Sequence, residues 1–179
     1  MWSQDTFTRA LNFAARAHGN QRMLGSDLPY VVHLSCVAVE VLAACTVDPE
    51  ADADLAAACA LLHDCIEDAG VTYEEVKALF GERVADGVLA LTKDESLPKA
   101  VRMEDSLARI RNQPREISMV KLADRVTNLE PPLPPGTLEE RGAYLAESRQ
   151  IQECLRGTSP LLERRLEEKI AAYGVHCHV

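Results

Sequence analysis

Apolar residues recur along this chain at the 3.6-residue period of an α-helix. Phe7, Leu11, Ala14 and Ala15 share one helical face, and Leu34, Val37, Ala38, Val41, Leu42 and Cys45 form a longer stripe. Leu55, Ala58, Cys59, Leu62 and Ile66 make a third stripe, which predicts one helix running on through the segment LLHDCIED. Shorter stripes follow at Val84, Val88 and Leu91, at Met103, Leu107 and Ile110, and at Met119, Leu122, Ala123 and Val126. Leu162, Leu166 and Ile170 complete the series. Period-two alternation is nowhere sustained, and aromatic residues, which favour strands, are only 4% of the chain. The pattern predicts an all-α fold.

The punctuation between stripes agrees. Gly25-Ser26-Asp27-Leu28-Pro29 separates the first two helices, and Thr46 to Asp52, with Pro49, separates the next two. Thr72 followed by Glu75 has the form of a capping box, and Pro98 opens the stretch leading to Met103. No helix can cross Pro131-Pro132-Leu133-Pro134-Pro135-Gly136. About forty residues follow it, too few for a core of their own. Two closing helices are therefore expected to pack back on the body, making residues 1–179 a single domain.

Composition narrows the function classes. Apolar residues are 47% of the 179, enough for a core without metal or disulfide staples. Lys and Arg number 19 against 28 Asp and Glu, a net charge of −9, so a nucleic-acid binder relying on a broad basic face is excluded. A small anionic ligand is not, because a few local cations can hold it. No stretch approaches the ~18–20 apolar residues that span a bilayer, and the first residues lack the apolar run of a secretion signal. Cys36, Cys45, Cys59, Cys65, Cys154 and Cys177 show no CxxC spacing. Reduced thiols, a cytoplasmic location and no membrane partner are the expectation.

Four polar residues in six positions, His63, Asp64, Glu67 and Asp68, interrupt the apolar third helix. Carboxylates in such surroundings need compensation, which a divalent cation supplies well; the alternative is a helix end that surfaces and solvates them. Asp124 and Asn128 stand one turn apart after another apolar run, and a lone Asp there is as readily paired with Lys121 or Arg125. His33, beside an apolar stripe, reads by itself as a core histidine. Together, His33, His63, Asp64 and Asp124 offer two imidazoles and two carboxylates, a set suited to Mn²⁺, Fe²⁺ or Zn²⁺ rather than Ca²⁺. Lys93 and Arg83 are candidate phosphate contacts but read by default as surface charges, and His176-Cys177-His178 as a frayed end rather than a defined site.

The order His33 … His63-Asp64 … Asp124 resembles the HD superfamily of metal-dependent phosphohydrolases. Within residues 7–130, the blocks FAARAHGNQR, PYVVHL, ALLHDCIED, FGERV, LTKDESLPKAVR and VKLADRVTNL are similar to the hydrolase domain of RelA/SpoT-type enzymes and to stand-alone small alarmone hydrolases. The resemblance implies a compact multi-helix fold around one metal site. It implies His33, His63, Asp64 and Asp124 as ligands of one Mn²⁺, with Fe²⁺, Zn²⁺ or another divalent ion as alternatives. Glu67 and Asp68 match the catalytic acidic pair that handles the attacking water and proton transfer. Asn128 matches a residue near the ribose and metal, Tyr144 one on the phosphate side, and Lys99 and Arg102 basic residues facing phosphates. The implied reaction releases pyrophosphate from the 3′ position of (p)ppGpp or a related purine nucleotide.

One departure bears on the substrate. Where the family continues Gln-Arg with Arg-Lys, this chain has Met23 and Leu24 and keeps only Arg22 as a substrate-side cation. Rival readings are an HD phosphohydrolase for another nucleotide (ppApp, NADPH or a dNTP), a nucleotide sensor without turnover, and a helical adaptor without metal. The retained Glu67, Asp68 and ligand set speak against the sensor, and the adaptor predicts that no metal is bound.

Overall fold

Two helices are buried nearly all round, and the rest of the chain wraps them. A computed structural model describes residues 2–177. Its elements are α1 (Gln4–His18), α2 (Val31–Thr46), α3 (Ala53–Leu62), α4 (Cys65–Asp68), α5 (Tyr73–Phe80) and α6 (Glu82–Leu91). They continue with α7 (Lys99–Ile110), α8 (Arg115–Asn128), α9 (Leu138–Cys154) and α10 (Pro160–Gly174), then a 3₁₀ turn at Val175–Cys177. There is no strand among the described residues; the fold is all-α, as the periodicity predicts. His178, from the C-terminal triplet, lies outside the described residues.

In α3 every residue from Leu55 to Leu62 is buried, and in α8 every residue from Glu116 to Val126. From Leu55 onward α3 is apolar on all sides and so belongs at the centre of a bundle, whereas α8 also buries Glu116, Lys121, Asp124 and Arg125, each held by a hydrogen bond. The alanines of α3 let α1, α2, α6 and α8 approach it closely. Gly87 of α6 does the same from the other side: a Cβ there would stand 2.5 Å from Ile117 Cδ1 and 2.9 Å from Cys59 Sγ. Fully buried Leu61, Leu62, Met119 and Leu122 each contribute roughly 1.5–3 kcal/mol by leaving water. After the proline-rich connector, α10 lays Leu162, Leu166 and Ile170 against α8 and α2, and α9 packs on α8 and α10.

Caps delimit the helices where the sequence marks them. Ser3 accepts from Thr6 N–H at 3.2 Å, and Thr72 with Glu75 forms the expected capping box. All six cysteines are unpaired. No helix among the described residues is long and apolar enough to cross a membrane.

The expectation of one helix through residues 55–68 is corrected at its most informative point. α3 stops at Leu62, Asp64 adopts φ −100° and ψ 0°, and the one-turn α4 starts afresh. Neighbouring residues on an unbroken helix diverge by about 100° around the axis. The turn at 63–64 lets His63 and Asp64 face a common point instead, and His63 Nδ1 bonds the carbonyl of Ala60 at 2.8 Å.

Candidate metal centre

Three elements carry the four expected ligands. His33 lies in the first turn of α2, His63 and Asp64 in the break after α3, and Asp124 in the last turns of α8. His33 Nε2 and His63 Nε2 are 3.4 Å apart. Asp64 Oδ2 lies 2.9 Å from His63 Nε2 and 3.8 Å from His33 Nε2. Asp124 Oδ1 lies 3.5 and 3.6 Å from the same two nitrogens. Among the described residues, His33, His63 and Asp64 have the spacing of a group that could hold a metal ion. Ala60 O lies 2.8 Å from His63 Nδ1, which leaves Nε2 as the nitrogen that faces the second imidazole and would bind a cation on losing its own proton. Two imidazole nitrogens that face each other between two carboxylates are satisfied by a cation, and the spacings suit atoms bound at ~2.0–2.2 Å to one ion. The donor set fits a divalent metal.

The surrounding bonds hold this cluster. Tyr30 O–H donates to Asp64 Oδ2 at 2.6 Å. Lys121 Nζ donates to Asp124 Oδ2 at 3.0 Å, and Asn128 Nδ2 to Asp124 Oδ1 at 2.5 Å. Burial pushes the Asp124 carboxyl up, but Lys121 and the two histidines more than reverse this and hold it well below the usual range. Asp64 is likewise lowered, its burial outweighed by His63 and Tyr30. Burial pulls His63 down, yet Asp64 and Asp124 lift it well above the ordinary imidazole value. Burial, then Asp64, pushes the Tyr30 phenol far up, so it stays a donor.

A polar cavity of about 170 Å³ opens over the centre. Glu67 and Asp68 stand on its wall with Lys93, Lys121, Arg125 and Glu147. Glu67 takes the Lys93 ammonium at 2.9 Å and the Lys93 backbone N–H at 2.8 Å. Asp68 is at the mouth, its carboxyl raised by desolvation and by Asp64 and Glu67, partly offset by Gln21 and His18. Arg125 spreads over the Tyr144 ring at 4.1 Å and donates to Ser148 Oγ at 3.1 Å and to Glu147. Its buried Nε has no partner.

Asn128 and Tyr144, the expected nucleotide contacts, line both this cavity and a second one of about 160 Å³. Of these two cavities, Met23 and Leu24 line the second and not the first. Arg22 lines neither; it is exposed, on backbone paired with Pro29. Lys99, also exposed, and Arg102 stand outside both cavities. Arg102 donates to Leu97 O and Glu95 O, each at 2.8 Å, and so clamps the loop that carries Lys93. The sequence pattern does not single out Tyr30 or Glu147, and it reads Lys93 by default as a surface charge. Tyr30 stands three residues before His33, the spacing of one helical face, and this was the available signal.

Helices that converge two imidazoles and two carboxylates beneath a cavity lined by cations define a domain built for a divalent metal and an anionic ligand. A family model described as HD domain matches residues 10–148, and the chain belongs to the HD-domain family. Its relatives there include the guanosine-3′,5′-bis(diphosphate) 3′-pyrophosphohydrolase MESH1 of Danio rerio, 33% identical over 181 residues and covering 92% of both chains. The Homo sapiens protein of that name is 31% identical, with 93% of both chains covered. The similarly named Aquifex aeolicus enzyme is 36% identical over 68% of this chain, which is 17% of its own length. A solved structure described as a metazoan ortholog of SpoT that hydrolyzes ppGpp superposes with a TM-score of 0.82 at 29% identity, covering 98% of this chain and 99% of that one. A Listeria monocytogenes protein, 20% identical with a TM-score of 0.60, shares the fold.

Proposed function

We propose that this protein is a metal-dependent nucleotide hydrolase that removes the 3′-pyrophosphate of (p)ppGpp or a related purine nucleotide, with Mn²⁺ as its resident ion, in the cytoplasm. The observation that carries the reading is the buried His33–His63–Asp64–Asp124 cluster directly beneath a cavity holding both acids and cations. The names of relatives matched over nine-tenths of both chains support the substrate class.

In this reading His33, His63, Asp64 and Asp124 hold the ion. The ion supplies a Lewis acid that polarises a phosphoryl oxygen and lowers the pKa of water. Water adds across the 3′-O–P bond, giving a 3′-hydroxyl and pyrophosphate. Asp68, whose raised carboxyl lies at the cavity mouth, takes the proton of the attacking water. Glu67 fixes the Lys93 ammonium toward the cavity, where it offsets charge on the departing pyrophosphate. The orphan Arg125 Nε is a donor that a phosphate oxygen would satisfy. Asn128 and Tyr144, on the wall between the cavities, orient the ribose.

Incubating the protein with Mn²⁺ and a panel of ppGpp, pGpp, ppApp, NADPH and dNTPs tests this. Pyrophosphate release from the 3′-pyrophosphorylated members is expected. Turnover of dNTPs alone would remove the 3′-pyrophosphate reading, and binding without product would replace it with a sensor.

A further inference from the structure

Each lysine and arginine that lines the polar cavity is already matched to an acid. Lys93 Nζ lies 2.9 Å from Glu67, Lys121 Nζ lies 3.0 Å from Asp124, and Arg125 Nη2 donates to Glu147 Oε1. An entering phosphoryl group must share a cation with its acid or displace that acid. The three acids are not equally firm. Asp124 is buried and faces both histidines. Glu67 accepts a backbone N–H as well as the Lys93 ammonium. Glu147, on α9, accepts from Arg125 alone among the described residues, and its side chain is 34% exposed.

Arg125 does not depend on Glu147 for its place. Its guanidinium lies 4.1 Å over the Tyr144 ring, and Nη1 donates to Ser148 Oγ at 3.1 Å and to Tyr144 O at 3.5 Å. These contacts fix the plane of a rigid group, in which Nε–H and Nη2–H point along one edge. That edge is half used: Glu147 takes Nη2, while the buried Nε has no partner. A phosphoryl group offers two oxygens to the same edge and fills both donors, which removes the cost of an unpaired buried N–H.

We propose that Glu147 is a displaceable counter-ion. Its carboxylate occupies Arg125 in the free enzyme, gives way to the entering pyrophosphoryl group and returns as pyrophosphate leaves, so it sets the affinity for substrate and product together. The inference rests on the function proposed above, which puts the 3′-pyrophosphoryl group in this cavity. Glu147 acts through Arg125 and does not touch the reacting atoms. With no carboxylate to displace, the phosphoryl group binds more tightly and leaves more slowly.

Glu147→Gln tests this, because it keeps the side-chain length and an acceptor for Arg125 while removing the competing charge. In the Mn²⁺-loaded protein, the KM for ppGpp and the inhibition constant of inorganic pyrophosphate are expected to fall together by about tenfold. A merely loosened α9 would raise both. In an Arg125→Met background the same substitution is expected to move either constant by less than about threefold, because the effect runs through Arg125. A rise in both constants would make Glu147 a residue that holds Arg125 for substrate, and unchanged constants would mean that the pair stays intact. Either result, or a full tenfold fall without Arg125, overturns the inference and leaves the proposed function standing. If no 3′-pyrophosphoryl nucleotide is hydrolysed, the proposed function fails instead. Calorimetric titration of the two Mn²⁺-loaded proteins, wild type and Glu147→Gln, with inorganic pyrophosphate then decides the inference separately. Tenfold tighter binding by the variant keeps it; equal or weaker binding, or none to either protein, ends it.

Discussion

Removing the metal should change not only the stability of the protein but the direction in which stability responds to pH. In the metal-free protein the His63 pKa is raised above 6.5, so its contribution is complete below pH 6.5 and is lost as pH rises through the folded value. Asp64 and Asp124 are lowered from 3.8, so their contributions are present above that value and are lost in acid. Between pH 6.5 and 8 the chelated protein should therefore lose stability as pH rises. A cation must displace the His63 proton, so its binding strengthens by up to about 1.4 kcal/mol per pH unit for one proton released. Saturation at a hundred times Kd adds about 2.7 kcal/mol. For a chain of this size 1 kcal/mol moves Tm by roughly 2–4 °C, so the gap between loaded and chelated protein should be about 5–11 °C and widen by roughly 3–5 °C per pH unit. Thermal scans with excess Mn²⁺ or chelator measure the gap, and titration calorimetry in two buffers of different ionisation heat counts the proton. A gap independent of pH, with no proton released, would refute the linkage and place the cation away from His63.

Other outcomes follow from single contacts. Tyr30→Phe deletes the 2.6 Å donor to Asp64 and should weaken Mn²⁺ binding about 10- to 100-fold in a competition titration, leaving the circular dichroism spectrum unchanged. Asp68→Asn should lower kcat by about 10²- to 10⁴-fold with metal content retained by elemental analysis; full activity would remove Asp68 from the proton transfer. Gly25→Ala forces a Cβ to 2.8 Å from a backbone oxygen at positive φ, and should cost about 1–3 kcal/mol in urea denaturation.

The helices were legible because their stripes obey one period, and the caps at Thr72 and the connector at 131–136 carry chemistry that means little else. His33, His63, Asp64 and Asp124 stood out only as a set, since each alone reads as a core histidine or a solvated acid. The break at His63–Asp64 was hidden: Cys65 and Ile66 continue the apolar spacing, and the turn depends on Ala60 O and Tyr30, which no local pattern announces. Lys93 was hidden for a different reason. Its partner Glu67 lies 26 residues away, and an isolated lysine in a chain that is 26% charged reads as surface. Of the two basic residues that the family blocks mark, Arg102 spends its donors on the carbonyls of Leu97 and Glu95 and so stands outside the cavities, and Lys99 is exposed at the start of α7.

A crystal of the protein grown with Mn²⁺, with anomalous data collected across the manganese edge, addresses the centre itself. One anomalous peak bonded to His33 Nε2, His63 Nε2, Asp64 and Asp124 is the predicted result. No peak among those four side chains, in protein that still releases pyrophosphate under the same conditions, would contradict the account.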